Sequence, residues 1–154
     1  MKKIYKLLVA GVALTVMAAT TMAQLKPEDQ IKNRQAGYRF MAWNMGKIKT
    51  NLDGQYNKDQ VAAAADVIAA IANSGMGALY GPGTDNGVGF HQTHVKPEFF
   101  KEGDKVKELA MAFVKEANEL KKVASTGDAD AVKAQFGKTG ETCKACHDKF
   151  RKED

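Results

Sequence analysis

The sequence has only two cysteines among 154 residues. That scarcity excludes a disulfide-scaffold protein and any all-cysteine structural zinc site. No apolar run reaches the roughly 18 to 20 residues of a membrane span, which argues against stable membrane insertion. There is no internal repeat and no strand-like alternation. Charge of one sign is scarce too: 23 Lys and Arg stand against 18 Asp and Glu, a formal +5. That small basic excess would point to nucleic acid or acidic partners if it were clustered. Apolar residues make up 44% and charged residues 27%, ordinary for a globular chain. The length suits one domain that buries a real core without covalent staples.

Residues 1–23 contain no acid. Lys2, Lys3 and Lys6 precede an apolar stretch from Leu7 to Ala19, too short to span a bilayer comfortably. Thr21-Met22-Ala23 resembles a small-x-small cleavage site. The segment reads as a cleaved secretory signal peptide over 1–23. Residues 24–154 then form one exported domain, most simply in a bacterial periplasm. Three lysines leave with the leader, so the mature charge falls to +2 and the nucleic-acid reading loses its support. No nucleic acid partner is expected.

The rest predicts four helices. The first starts at Pro27-Glu28-Asp29, where proline suits the first helical position and acids suit the positive helix end. Its stripe is Ile31, Arg34, Tyr38, Met41, Met45 and Ile48, and it ends near Asp53-Gly54. The second is capped by Asn57, with Gln60 placed for a capping box, and buries Val61, Ala64, Ala65, Ile68, Ile71 and Ala72. That alanine-rich face would admit a close helix or a flat cofactor. Asn73-Ser74-Gly75 stops it. Residues 75–96 hold six of the 14 glycines and form a long irregular connection. Its Gly81-Pro82-Gly83-Thr84 lacks the lysine of a phosphate loop. A short turn is expected at Pro97–Phe100. The third helix is capped by Asp104 and carries Val106, Leu109, Ala110, Phe113, Val114, Ala117, Leu120 and Val123. Ser125-Thr126-Gly127 ends it. Asp128 caps the fourth, striped by Val132, Phe136, Thr139, Cys143, His147 and Phe150. The fold class is all-α, an antiparallel four-helix bundle.

The chemistry gathers in Cys143-Lys144-Ala145-Cys146-His147, a C-x-x-C-H sequence that signals covalent attachment of haem c. Positions three apart on a helix share a face, so both thiols can reach one porphyrin. His147 projects beside them and can place an imidazole nitrogen on the iron. A thioredoxin-like redox pair would need a strand–turn–helix setting, which is absent. A zinc site could combine both cysteines with His91 and His94, although that histidine pair is closely spaced. A disulfide across two residues would be strained. Nothing after His147 is a methionine or histidine. A sixth iron ligand therefore comes from upstream, or the position stays open.

These features resemble the cytochrome c-prime family, the class II c-type cytochromes. The resemblance covers essentially all of 24–154. It rests on Lys26-Pro27-Glu28-Asp29, Arg34-Gln35, Gly81-Pro82-Gly83-Thr84 and Cys143-Lys144-Ala145-Cys146-His147 with Arg151. It implies one haem c in a four-helix bundle, with thioethers at Cys143 and Cys146 and His147 as axial ligand. The iron would be five-coordinate and bind small gases such as NO and CO. Arg151, one turn after His147, matches the proximal arginine. Arg34 and Gln35 match residues near the haem edge, where a guanidinium can pair with a propionate. Tyr38 falls where the family places the side chain covering the distal face. In low-spin relatives a methionine binds the iron, and Met41 would fill that part; otherwise Met41 and Met45 are core. The segment from Gly87 to Val95 is longer than the family leads one to expect, and His91 and His94 read as loop residues. Homodimerisation through the first helices is an option the family carries.

Lys138, Lys144, Lys149, Arg151 and Lys152 cluster along the attachment helix. They read as a solvated helix end or as a docking ring for an acidic periplasmic redox partner. No general base, nucleophile or substrate pocket stands out, so no enzyme is expected. The functions expected are one-electron transfer and gas binding, with a haem-free thiol oxidoreductase or zinc module as the distant rival.

Overall fold

The structure, a computed structural model, describes residues 25–153. The expected signal peptide lies outside the described residues. Four helices carry the chain: α1 (Pro27–Asp53), α2 (Lys58–Ala72), α3 (Gly103–Thr126) and α4 (Ala129–Phe150). Short 3₁₀ turns occupy Met76–Leu79 and Pro97–Phe100. No strand forms among the described residues; the only β pairing there is two isolated bridges, Val88 with Gln92 and Val95 with Arg151.

Local chemistry sets most boundaries. Pro27 opens α1 with Glu28 and Asp29 in its first turn. The Asn57 side chain accepts from the Gln60 N–H at 3.0 Å, as its capping role requires. The reciprocal half of the box differs from expectation. The Asn57 N–H donates to Asn51 Oδ1 at 2.9 Å, and Asn51 Nδ2 donates to Gln60 Oε1 at 3.3 Å. Asn51, buried at the end of α1, thus ties the α1–α2 corner together. The expected Asp104 cap is corrected: α3 already starts at Gly103, with Glu102 at the cap position and no side-chain bond. Asp104 instead lies in the first turn, where its charge still suits the helix dipole.

Gly127 closes α3 at φ 85°, and a Cβ there would come within 2.6 Å of Lys58 Cδ. The positive φ favours glycine, and the Lys58 side chain would have to shift to admit any other residue. Asp128 then accepts from the N–H groups of Asp130 and Ala131, each at 3.0 Å. Asp128→Ala is expected to lower stability by about 1 kcal/mol, read from the shift in a chemical denaturation midpoint. A loss below the error of that measurement would show that the cap is redundant.

Consecutive helices run antiparallel. Asp66 pairs with Lys121 at 3.3 Å and Asn73 Nδ2 donates to Asn118 at 2.9 Å, so α3 descends as α2 rises. The core contains Ile48, Val61, Ala64, Ala65, Ile68, Ala117, Leu120, Ala124 and Val132, all fully buried. The alanine-rich face of α2 therefore serves close helix packing. Its register is turned slightly from expectation: Ala69 is buried, whereas Ile71 and Ala72 are only partly covered. Alanine is apolar on every side, so the pattern alone does not choose between these faces. On α3, Ala110 is exposed and Ala124 is buried instead. Contacts link α1 to α2, α2 to α3 and α3 to α4 extensively, but α1 meets α4 sparsely. The bundle is splayed along that one seam.

Candidate functional site

The splayed seam brings together the residues singled out in the sequence. Cys143 and Cys146 lie one turn apart on α4, both half-buried free thiols. Tyr38 of α1 lies within the electrostatic reach of both. Burial raises both thiols above the usual cysteine range, and Cys143 is raised further by Cys146. A reactive redox pair needs the opposite shift, because the thiolate is the nucleophile. Among the described residues, no group of three or more His, Cys, Asp or Glu is placed to hold a metal ion. Cys143 and Cys146 therefore do not assemble a zinc cluster with His91 and His94. Those histidines meet each other edge to face at 5.9 Å in the loop.

His147 projects from the exposed side of α4. Partial burial of its ring, then the charge of Arg151, push its pKa below the usual histidine range, against a smaller opposing effect of Asp148. That direction favours the neutral ring, the form that offers a lone pair to iron. Arg151 follows at the end of α4, its N–H donating to the His147 carbonyl at 2.9 Å.

Arg34 is neither solvated nor loose. It is 3% exposed. Its Nη2 donates to the Thr84 carbonyl at 2.6 Å and to Thr93 Oγ1 at 2.7 Å, and its Nη1 to the Leu79 carbonyl at 3.1 Å. Burial lowers its pKa, but an arginine stays charged. The guanidinium pins the 75–96 loop to α1. Gln35 does the same one residue on. Its Nε2 donates to the His91 carbonyl at 2.9 Å, and its Oε1 accepts from the Phe90 N–H at 2.8 Å. Gly89 allows this approach, since a Cβ there would meet Gln35 Oε1 at 2.5 Å. The far end of the loop is tied to α4. Lys96 N–H donates to the Phe150 carbonyl at 2.8 Å and Lys152 N–H to the His94 carbonyl at 2.7 Å.

Met41 is 6% exposed and packs in the hydrophobic core, with the partly buried Met45 beside it. The basic cluster on α4 is partly neutralised. Lys144 pairs with Asp148, and Lys149 with Glu102 at 2.5 Å. A ring of five unpaired cations is therefore not what the surface presents.

Sequence reasoning missed Tyr80. It sits just after the 3₁₀ turn at Met76–Leu79, under the Arg34 guanidinium at 4.5 Å and stacked on Phe99 at 4.4 Å. Its hydroxyl donates to that of Tyr38 at 3.3 Å. A bulky aromatic inside a glycine-rich loop, beside the aromatic pair Phe99-Phe100, was the available signal.

An all-α bundle with C-x-x-C-H on its last helix defines a class of c-type haem proteins. The Cytochrome C' family matches residues 29–151, and the chain belongs to it. It is 58% identical to the cytochrome c' of Allochromatium vinosum over 98% of this chain and 99% of that one. A solved cytochrome c' described as having an unusual ligand-controlled dimer dissociation is 62% identical, with a TM-score of 0.83 over 85% of this chain and all of that one. Cytochrome c' from Alcaligenes xylosoxidans has been solved as a nitric oxide complex of a variant, at 34% identity and a TM-score of 0.74 over 83% of this chain and 98% of that one. A carbon monoxide-bound variant of it has a TM-score of 0.73. Cytochromes c' bind haem c covalently, and the two cysteines for the attachment are present. Two half-buried thiols on one helix face, a neutral imidazole beside them and a splayed α1–α4 seam fit that group.

Proposed function

We propose that this chain is an exported, periplasmic cytochrome c' with a five-coordinate iron, working in one-electron transfer and in binding NO or CO. Cys143 and Cys146 would hold the haem by thioethers, and His147 would supply the axial nitrogen. Bound haem supplies a ferric/ferrous couple and one open position for a diatomic gas. The observation that carries the reading is the pair of half-buried free thiols Cys143 and Cys146, one turn apart on α4 with His147 beside them. Tyr38 would cover the distal face and exclude water there. Arg151 would lie on the proximal side, where its charge helps keep His147 neutral. Arg34 and Gln35 would hold the loop against the haem edge, and Arg34 has N–H groups beyond its three hydrogen bonds to offer a propionate. The burial of Met41 in the core favours five coordination over a methionine ligand.

Gas binding is carried over from the NO and CO complexes of the Alcaligenes relative. Export rests on the leader-like residues 1–23, and no helix among the described residues is long and apolar enough to cross a membrane. A homodimer through α1 is supported by the exposed, stacked pair Phe40 and Trp43, 50% and 58% exposed with rings 5.4 Å apart. Lys138 and Lys152 are candidates for contact with an acidic redox partner, in the small, short-lived interface that electron transfer favours. No enzymatic activity is proposed.

The test is the absorption spectrum of protein matured in a bacterial periplasm, with and without CO. A high-spin ferric spectrum and ready CO binding after reduction are expected. A sharp low-spin spectrum that disappears in Met41→Ala would overturn the five-coordinate reading. Colourless protein with two titratable thiols would remove the haem reading altogether.

A further inference from the structure

We infer that Tyr80 is the positioning residue that holds Tyr38 over the ligand face, so that gas access is governed by a lock between α1 and the 75–96 loop. The inference rests on the proposed distal role of Tyr38.

The lock is built from contacts that converge on one ring. The Tyr80 hydroxyl donates to the Tyr38 hydroxyl at 3.3 Å. One side of the Tyr80 ring takes the Arg34 guanidinium at 4.5 Å, a cation–π contact strengthened by the burial of the charge. The ring also stacks on Phe99 at 4.4 Å, and Phe99 meets Phe150 edge to face at 5.6 Å. Phe150 is three residues beyond His147 on the same helix. The backbone is held as well. Arg34 Nη1 donates to the Leu79 carbonyl at 3.1 Å, and the Gly81 N–H donates to Gln30 Oε1 at 2.9 Å. Tyr80 therefore cannot follow Tyr38 if that ring swings.

Tyr38 makes fewer such contacts among the described residues. It is 41% exposed. Among the described residues, the phenol–phenol hydrogen bond is its polar anchor. Burial raises the pKa of both phenols, so both hydroxyls stay protonated and the bond persists across ordinary pH. A gas that binds beneath Tyr38 must displace the ring and break this bond. The bond thus adds to the barrier for entry, and the loop that carries Tyr80 sets that barrier.

Tyr80→Phe removes only the hydroxyl. It keeps the stacking and the cation–π contact, so folding is preserved. In the reduced holoprotein, CO association by rapid-mixing absorbance should quicken about two- to fivefold, as expected for one long neutral hydrogen bond. Tyr38→Phe should quicken it equally, and the double variant no further, because both delete the same bond. A merely structural Tyr80 would not give that non-additivity. Ultraviolet resonance Raman bands of the unligated protein give an independent readout: the hydrogen-bonded tyrosine signature should vanish alike in both single variants. If Tyr38→Ala alters CO association but Tyr80→Phe leaves it unchanged, the lock is refuted and the distal role of Tyr38 stands. If Tyr38→Ala also changes nothing, the distal role itself fails. Additive effects in the double variant would likewise overturn the lock.

Discussion

Replacing Cys143 and Cys146 together with serine is expected to give protein that surrenders all of its haem to acid acetone, where the unaltered protein keeps its colour. The thiols are the only two in the chain. They lie three residues apart on α4, on one face and half buried. Serine keeps the size and the helix, since its propensity differs from cysteine's by only tenths of a kcal/mol. What it removes is the pair of covalent bonds. Without them the haem would be held only by the proposed axial bond to His147 and by non-covalent contacts, and acid would break the histidine bond by protonating the ring. The measurement is haem absorbance in the organic phase after extraction, compared with α-helical circular dichroism to confirm folding. Colour retained by the folded double variant would show that attachment lies elsewhere.

Arg34→Ala is expected to cost about 3 kcal/mol, a fall in Tm of roughly 10 °C for a domain of this size. The guanidinium is buried and serves the Leu79 and Thr84 carbonyls, the Thr93 hydroxyl and the Tyr80 ring. Alanine leaves the buried Thr84 and Thr93 groups without this donor, and unmade buried bonds cost more than made ones contribute. Arg34→Lys should recover less than half. An ammonium is a point donor that cannot span three acceptors in a fork. Thermal unfolding of the holoprotein followed by circular dichroism checks both variants. A loss under about 1 kcal/mol would mean that the loop is held elsewhere.

Arg34 also shows where sequence reasoning reaches its limit. Its place on the α1 stripe was legible, because helical periodicity is a property of neighbours three and four apart. Its partners were not: Thr84 and Thr93 lie 50 and 59 residues away in an irregular loop. The same division runs through the caps. Pro27, Asn57, Gly127 and Asp128 act within a few residues of themselves, and each was readable. Asp104 misled because a glycine before a good cap residue looks like a helix boundary, whereas the turn at Pro97–Phe100 feeds α3 two residues earlier. In the site, C-x-x-C-H names the cofactor by spacing alone, and resemblance alone pointed to Tyr38. Tyr80 carries no motif. Its meaning comes from a hydroxyl, a guanidinium and a phenyl ring contributed by three separate parts of the chain.

The scarcity of cysteine, the helical periods and the five-residue attachment signal are local patterns, so the sequence by itself determined the all-α class and the haem chemistry. Only the tertiary structure decided that Arg34 is a buried clamp, that Lys144 and Lys149 are paired with acids, and that Tyr38 leans on Tyr80. Those outcomes depend on which side chains meet across the bundle. Such meetings follow from packing and from the entropy of closing a long loop, neither of which is encoded within any short window of residues.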